Sequence, residues 1–90
     1  MKVFKGYYKL VEEMGECLTV LGKLGPFPDG EHPDGNGHLY DRLRDELADV
    51  EAAVAYFRET NGLHDDGERF KEKLEKFRHW GLTGIDLDQK

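Results

Sequence analysis

Cysteine is almost missing from this chain. Cys17 stands alone among 90 residues, so no internal disulfide can form, and a reducing, cytoplasmic setting is expected. No long uncharged apolar run occurs, which argues against a helical membrane span. The opening Met1-Lys2-Val3-Phe4-Lys5-Gly6 lacks the apolar stretch of a secretory signal. Proline is scarce, and all three prolines fall within residues 25–38. No segment has the alternation of a strand, and no internal repeat is present. Positive charge is in the minority, with 13 Lys and Arg against 19 Asp and Glu and a formal net charge of −6. A general nucleic-acid binder usually carries a basic face, so nucleic acid is not an expected partner. An anionic small molecule stays compatible if metal ions bridge it to an acidic pocket. There is no Walker phosphate loop and no Ser-His-Asp or Cys-His arrangement. His32, His38, His64 and His79 have no ligand spacing and read as loop or surface residues.

What remains is helical. The apolar periodicity predicts a first helix over residues 4–24, with Val3, Tyr7, Leu10, Met14, Cys17, Leu18, Leu21 and Leu24 on one broad arc. Gly15 and Gly22 lower its propensity by up to ~1 kcal/mol each, which close packing would explain. Gly25-Pro26 is a stop signal. A second helix is predicted over residues 39–60, where Leu39, Leu43, Leu47, Val50, Val54 and Phe57 repeat at helical spacing before Asn61-Gly62. A third is predicted over residues 66–80 on the stripe Phe70, Leu74 and Phe77. Residues 25–38 hold four glycines and all the prolines. They read as a long loop, either a lid facing substrate or a mere connection. The expected fold is all-α, a small helical bundle of three principal helices completed by oligomerisation, with a helical domain over 1–81 and a tail over 82–90. Three short helices make a thin core, and partner subunits are a natural source of further burial. A dimer or tetramer is therefore expected.

Two acidic runs share one spacing. Glu12, Glu13 and Glu16 form E-E-x-x-E on the first helix, and Glu46 and Asp49 form E-x-x-D on the second. Three residues is nearly one helical turn, so each helix can hold out two carboxylates on one side. Two such helices can surround a hard divalent cation with oxygen. Acidic residues on helices are most often a solvated face. Against that, Glu46 lies inside the apolar arc of its helix, and like charges three and four residues apart weaken a bare helix. The candidate ligands are Glu13, Glu16, Glu46 and Asp49. Glu12 is left as a further ligand or as a base acting on water.

Leu10-Val11-Glu12-Glu13-Met14-Gly15-Glu16, followed by Asp45-Glu46-Leu47-Ala48-Asp49-Val50, resembles the MazG-type all-α nucleoside triphosphate pyrophosphohydrolases. That family's signature is E-E-x-x-E, a variable spacer, then E-x-x-D. The resemblance covers roughly residues 10–80, and residues 56–63 and 69–80 look like short phage or bacterial members. It implies a Mg²⁺-dependent enzyme, with Mn²⁺ as a substitute, that cleaves a (d)NTP to the (d)NMP and pyrophosphate. It matches Glu13, Glu16, Glu46 and Asp49 to the metal ligands and Glu12 to the remaining acidic position; that Glu12 is the base is our own expectation and not part of the resemblance. Lys73, with Arg69 and Lys76 nearby, resembles the basic helix that contacts phosphates in relatives. Residues 25–38 make the spacer slightly longer than is typical, and Phe77 stands where many longer relatives have a polar residue. The alternatives are a superfamily enzyme of narrower substrate (dUTP, dCTP or phosphoribosyl-ATP) and a non-catalytic helical module that binds a protein.

Overall fold

The computed structural model describes residues 4–83. Among them the chain forms three helices and no strand: α1 (Tyr7–Leu24), α2 (Leu39–Asn61) and α3 (Glu68–Thr83). The all-α expectation holds. α1 starts three residues later than the periodicity predicts because Gly6 turns the chain at φ 86°. A side chain there would be strained by the backbone and would also press on the Tyr56 ring, 3.0 Å from the position of a Cβ. α3 runs on to Thr83, past the expected boundary at residue 81. Val3 of the expected apolar arc, and residues 84–90 of the expected tail, lie outside the described residues.

α1 and α2 pack as an antiparallel hairpin, tied at both ends. At one end Asn61 Nδ2 donates to the Lys5 carbonyl at 2.8 Å, and Phe4 meets Phe57 with ring centroids 5.8 Å apart. At the other end Asp34, from the connecting loop, bonds both Lys23 of α1 and Arg42 of α2. The ends of α2 are well capped. His38 Nδ1 accepts from the Tyr40 N–H. Gly62 takes the left-handed conformation, and its N–H, with that of Leu63, bonds the Arg58 carbonyl.

The seam between α1 and α2 is narrow. On α1 the covered positions are Leu10, Glu13, Cys17, Val20 and Leu24; on α2 they are Leu39, Leu43, Glu46, Val50, Ala53 and Phe57. Both rows follow the alternating three- and four-residue steps of a packed helix pair. Each row has one glutamate in it. The broad apolar arc expected of α1 divides in two. Leu10, Cys17 and Leu24 turn to α2, whereas Tyr7, Met14, Leu18 and Leu21 are exposed, Leu18 by 66%. One facing helix covers only about a third of a helix's circumference, too little for that arc.

α3 packs on neither α1 nor α2. Phe70, Phe77 and Trp80 of its stripe are exposed. Among the described residues, helix-on-helix packing is therefore limited to the hairpin. No helix among the described residues is long and apolar enough to cross a membrane.

Residues 25–38 are internally bonded rather than loose. Leu39 N–H reaches back to the Gly30 carbonyl at 2.8 Å, and Gly30 N–H bonds the Phe27 carbonyl at 2.9 Å. Gly30 is buried at φ 87°, with the His38 ring lying where a Cβ would stand. The Tyr40 hydroxyl donates to the Pro28 carbonyl. These bonds hold the segment against the start of α2.

Candidate metal centre

The hairpin brings three of the four expected ligands together. One carboxylate oxygen from each of Glu13, Glu16 and Glu46 lies within 4.8 Å of the others. Glu13 and Glu46 come from the seam positions of α1 and α2, and Glu16 stands one turn along α1, exposed. The cause is local. The three-residue step from Glu13 to Glu16 keeps both on one flank of α1, and the antiparallel register sets Glu46 opposite.

Two oxygens set this cluster apart from a solvated acidic face. Glu13 Oε2 and Glu46 Oε2 are both buried and both lack a hydrogen-bond partner. A buried carboxylate oxygen with nothing to accept from is costly. Burial pushes the Glu46 carboxyl above its ordinary value, and the neighbouring charges of Glu16, Asp49 and Glu13 push it further. The donor set is oxygen alone, which suits a hard cation such as Mg²⁺. Opposite ligands around Mg²⁺ stand about 4 Å apart, close to the spread seen here. The residues present fit such an ion.

Asp49 is exposed and lies outside that trio. It lines a groove of about 310 Å³ with Lys9, Glu13, Ala52, Ala53 and Tyr56. Glu13 is common to the trio and the groove, so the groove opens directly from the acidic cluster. Glu12 is exposed and bonded to Lys9 Nζ at 3.2 Å, and Lys9 also reaches Glu13 at 3.6 Å. Glu12 holds the Lys9 ammonium above its ordinary value, with Glu13 adding to the effect. Lys9 thus places the one cation of the groove beside the carboxylates. In the sequence Lys9 stands one helical turn before Glu13. Ala52, Ala53 and Tyr56 follow Asp49 by three, four and seven residues, the spacing of one helix face.

The expected phosphate contacts are elsewhere in the chain. Arg69 and Lys73 line a separate cleft of about 280 Å³ with Arg58, Asp65, Phe70, Leu74 and Phe77. Lys76 is exposed on α3. Within one chain the structure does not bring these three to the acidic cluster, because α3 borders α2 across that cleft, at Arg58 near the end of α2, and not beside the acidic residues. His32 and His38 serve the loop: His32 Nδ1 lies 3.2 Å from Asp34, and His38 caps α2.

No family model matches the chain, and no curated protein or solved structure is significantly similar to it.

Proposed function

We propose that this protein is a Mg²⁺-dependent nucleoside triphosphate pyrophosphohydrolase of the MazG-like type, converting a (d)NTP and water to a (d)NMP and pyrophosphate. The observation that carries the reading is the pair of buried, unpartnered oxygens on Glu13 and Glu46, set against Glu16. Glu13, Glu16 and Glu46 would hold the ion, with Asp49 at the edge toward the groove. When bound, Mg²⁺ or Mn²⁺ offsets the charge of the triphosphate and makes water a better nucleophile. Lys9 offers an ammonium to a phosphate in the groove, and the half-exposed Tyr56 ring offers a face to a base or sugar. Glu12, exposed beside the cluster, accepts the proton of the attacking water. Arg69, Lys73 and Lys76 would neutralise the leaving pyrophosphate if α3 reaches the site of a second copy. The protein then works as a homo-oligomer in the cytoplasm, with a nucleotide rather than a nucleic acid as its ligand.

A pyrophosphate-release assay across the common NTPs and dNTPs and phosphoribosyl-ATP, with and without Mg²⁺, tests this. Turnover is expected only with the metal, and Glu46→Ala and Asp49→Ala should abolish it. Turnover that survives in either variant would sink the site assignment. Turnover confined to dUTP, dCTP or phosphoribosyl-ATP would mark the narrower enzyme. The exposed Phe70, Phe77 and Trp80 of α3 favour a second reading, a helical module that binds a protein. That reading gains if no nucleotide is cleaved.

A further inference from the structure

All five charged side chains of α1, Lys9, Glu12, Glu13, Glu16 and Lys23, fall within about 100° of its circumference. The rest of the helix carries no charge at all. α2 covers only part of that uncharged arc. What it leaves open is a stripe of Tyr7, Val11, Met14, Leu18 and Leu21, each at least 46% exposed. These five step by four and three residues along the whole helix, the spacing that seats one helix against another. Gly15 and Gly22 border the stripe, and a Cβ at either would meet nothing within 4 Å. Packing inside the chain therefore does not account for them.

The stripe continues onto α2. In an antiparallel pair the acidic flanks of both helices turn the same way, and so do the opposite flanks. Two grooves confirm this. The one beside the acids is lined by Lys9, Glu13 and Asp49. The other, of about 360 Å³, is lined by Leu10, Val54, Phe57, Arg58 and Leu63. Exposed Leu47 and half-buried Leu43 and Val54 share that second side. The hairpin thus has one acidic side and one mainly apolar side, with Arg58 at the edge of the latter.

We infer that the apolar side is the interface with a second copy of this chain, paired two-fold along α1. The inference takes up the self-association proposed above and assigns its surface. Area supports it. The chain exposes 7335 Å², whereas a compact monomer of 10.4 kDa exposes about 5,400 Å². Part of that surplus of roughly 2,000 Å² belongs to α3, which does not pack on the hairpin, and a stable dimer asks for only ~800 Å² from each partner. The α1 stripe alone offers on the order of 500 Å² of apolar side chain, and the flank of α2 adds to it. The pattern is also self-complementary. Met14 is the midpoint of the stripe, so antiparallel pairing sets Tyr7 of one copy against Leu21 of the other, Val11 against Leu18, and Met14 against its own mate. The missing side chains at Gly15 and Gly22 let the two helices approach closely. Pairing this way leaves the acidic groove open on the far side of each hairpin.

Sedimentation of the full chain across a dilution series tests the inference. A dimer is expected, and Leu18→Glu, which places a carboxylate on each side of the pairing, should weaken it by about 100-fold or more. Because separated hairpins are open to unfolding, a second measurement leaves the surface apolar: Met14→Cys in a Cys17→Ser background should cross-link two copies under mild oxidation. A monomeric unsubstituted chain overturns the inference. So does a dimer that persists unchanged in Leu18→Glu, or one that yields no Met14→Cys cross-link. Dissociation by Phe77→Glu but not by Leu18→Glu would move the interface to α3 and overturn it equally. The Mg²⁺-dependent rise in melting temperature reads the acidic site separately, so loss of the dimer with that response intact is not a failure of the metal centre.

Discussion

Two carboxylates in this molecule sit in opposite company. Asp34, in the loop between α1 and α2, accepts from Lys23 at 3.1 Å, from Arg42 at 2.9 Å and from the Asn36 N–H at 3.0 Å. His32 stands 3.2 Å away. The Asn36 bond first, then Lys23, Arg42 and His32, hold Asp34 well below the usual carboxylate range, against the opposing effect of burial. Glu46, midway along α2, faces Glu13 and Glu16 and has a buried oxygen with no donor. Its carboxyl is pushed up, first by burial and then by those acidic neighbours and Asp49. The chain has the means to satisfy a half-buried acid and uses them at Asp34. That it does not do so at Glu46 is the difference the proposed metal centre would account for.

The strongest way to break this contrast is to remove the charge at Glu46. Glu46→Gln should abolish the stabilisation by Mg²⁺ and reduce turnover by more than ~100-fold. In a chelating buffer the same variant should melt higher than the unsubstituted chain, because one charge of a repelling trio is gone. Thermal melting with and without the ion reads both effects, and a variant that melts lower in both buffers would contradict the contrast. Asp34→Ala should act the other way. It strands Lys23 and Arg42, unties the loop from both helices, and should lower the melting temperature by several degrees in either buffer. The Mg²⁺ increment should be unchanged, because Asp34 is not among the clustered carboxylates. If that increment falls with Asp34→Ala, the two regions are coupled and the contrast is not between separate sites.

The same two carboxylates show what the sequence makes legible. The three helices follow from apolar spacing and their stop signals, and Glu46 stands out because it interrupts an apolar stripe. Glu13 and Glu16 follow from the register of E-E-x-x-E. The role of Asp34 does not, because an acid between Pro33 and Gly35 looks like any loop acid until the fold brings in Lys23 and Arg42 from eleven and eight residues away. The division of the α1 arc is equally hidden. Periodicity places Met14 and Leu18 on an apolar face, but it does not say how much of that face one neighbouring helix can cover. The basic residues of α3 were expected at the site by resemblance alone. Where they stand depends on how a third helix docks, and no periodicity encodes that.

The smallest expected effect is the pH dependence of the metal-free protein, and it has a definite sign. Glu46 is raised in the fold above its ordinary value of 4.5, so the folded state holds its proton more tightly than the unfolded chain. Its penalty is present at neutral pH and is relieved as the pH falls through the folded value, with full relief below about 4.5. Asp34 is lowered from 3.8, so its contribution is present above that value and is lost only as the pH falls further, through the folded value. Of the two, Glu46 is the one whose folded carboxyl takes up its proton above its ordinary value, so mild acidification with a chelator acts on it and not on Asp34. The unsubstituted chain should therefore gain stability on mild acidification relative to Glu46→Gln, by a few degrees at most in melting temperature. Mg²⁺ should reverse the slope of that difference, since the ion and the proton compete for the same oxygens and the metal's stabilisation fades as the pH drops. Equal slopes for the two proteins in chelator would mean that Glu46 is adequately solvated, and the cluster would then be one more exposed acidic face.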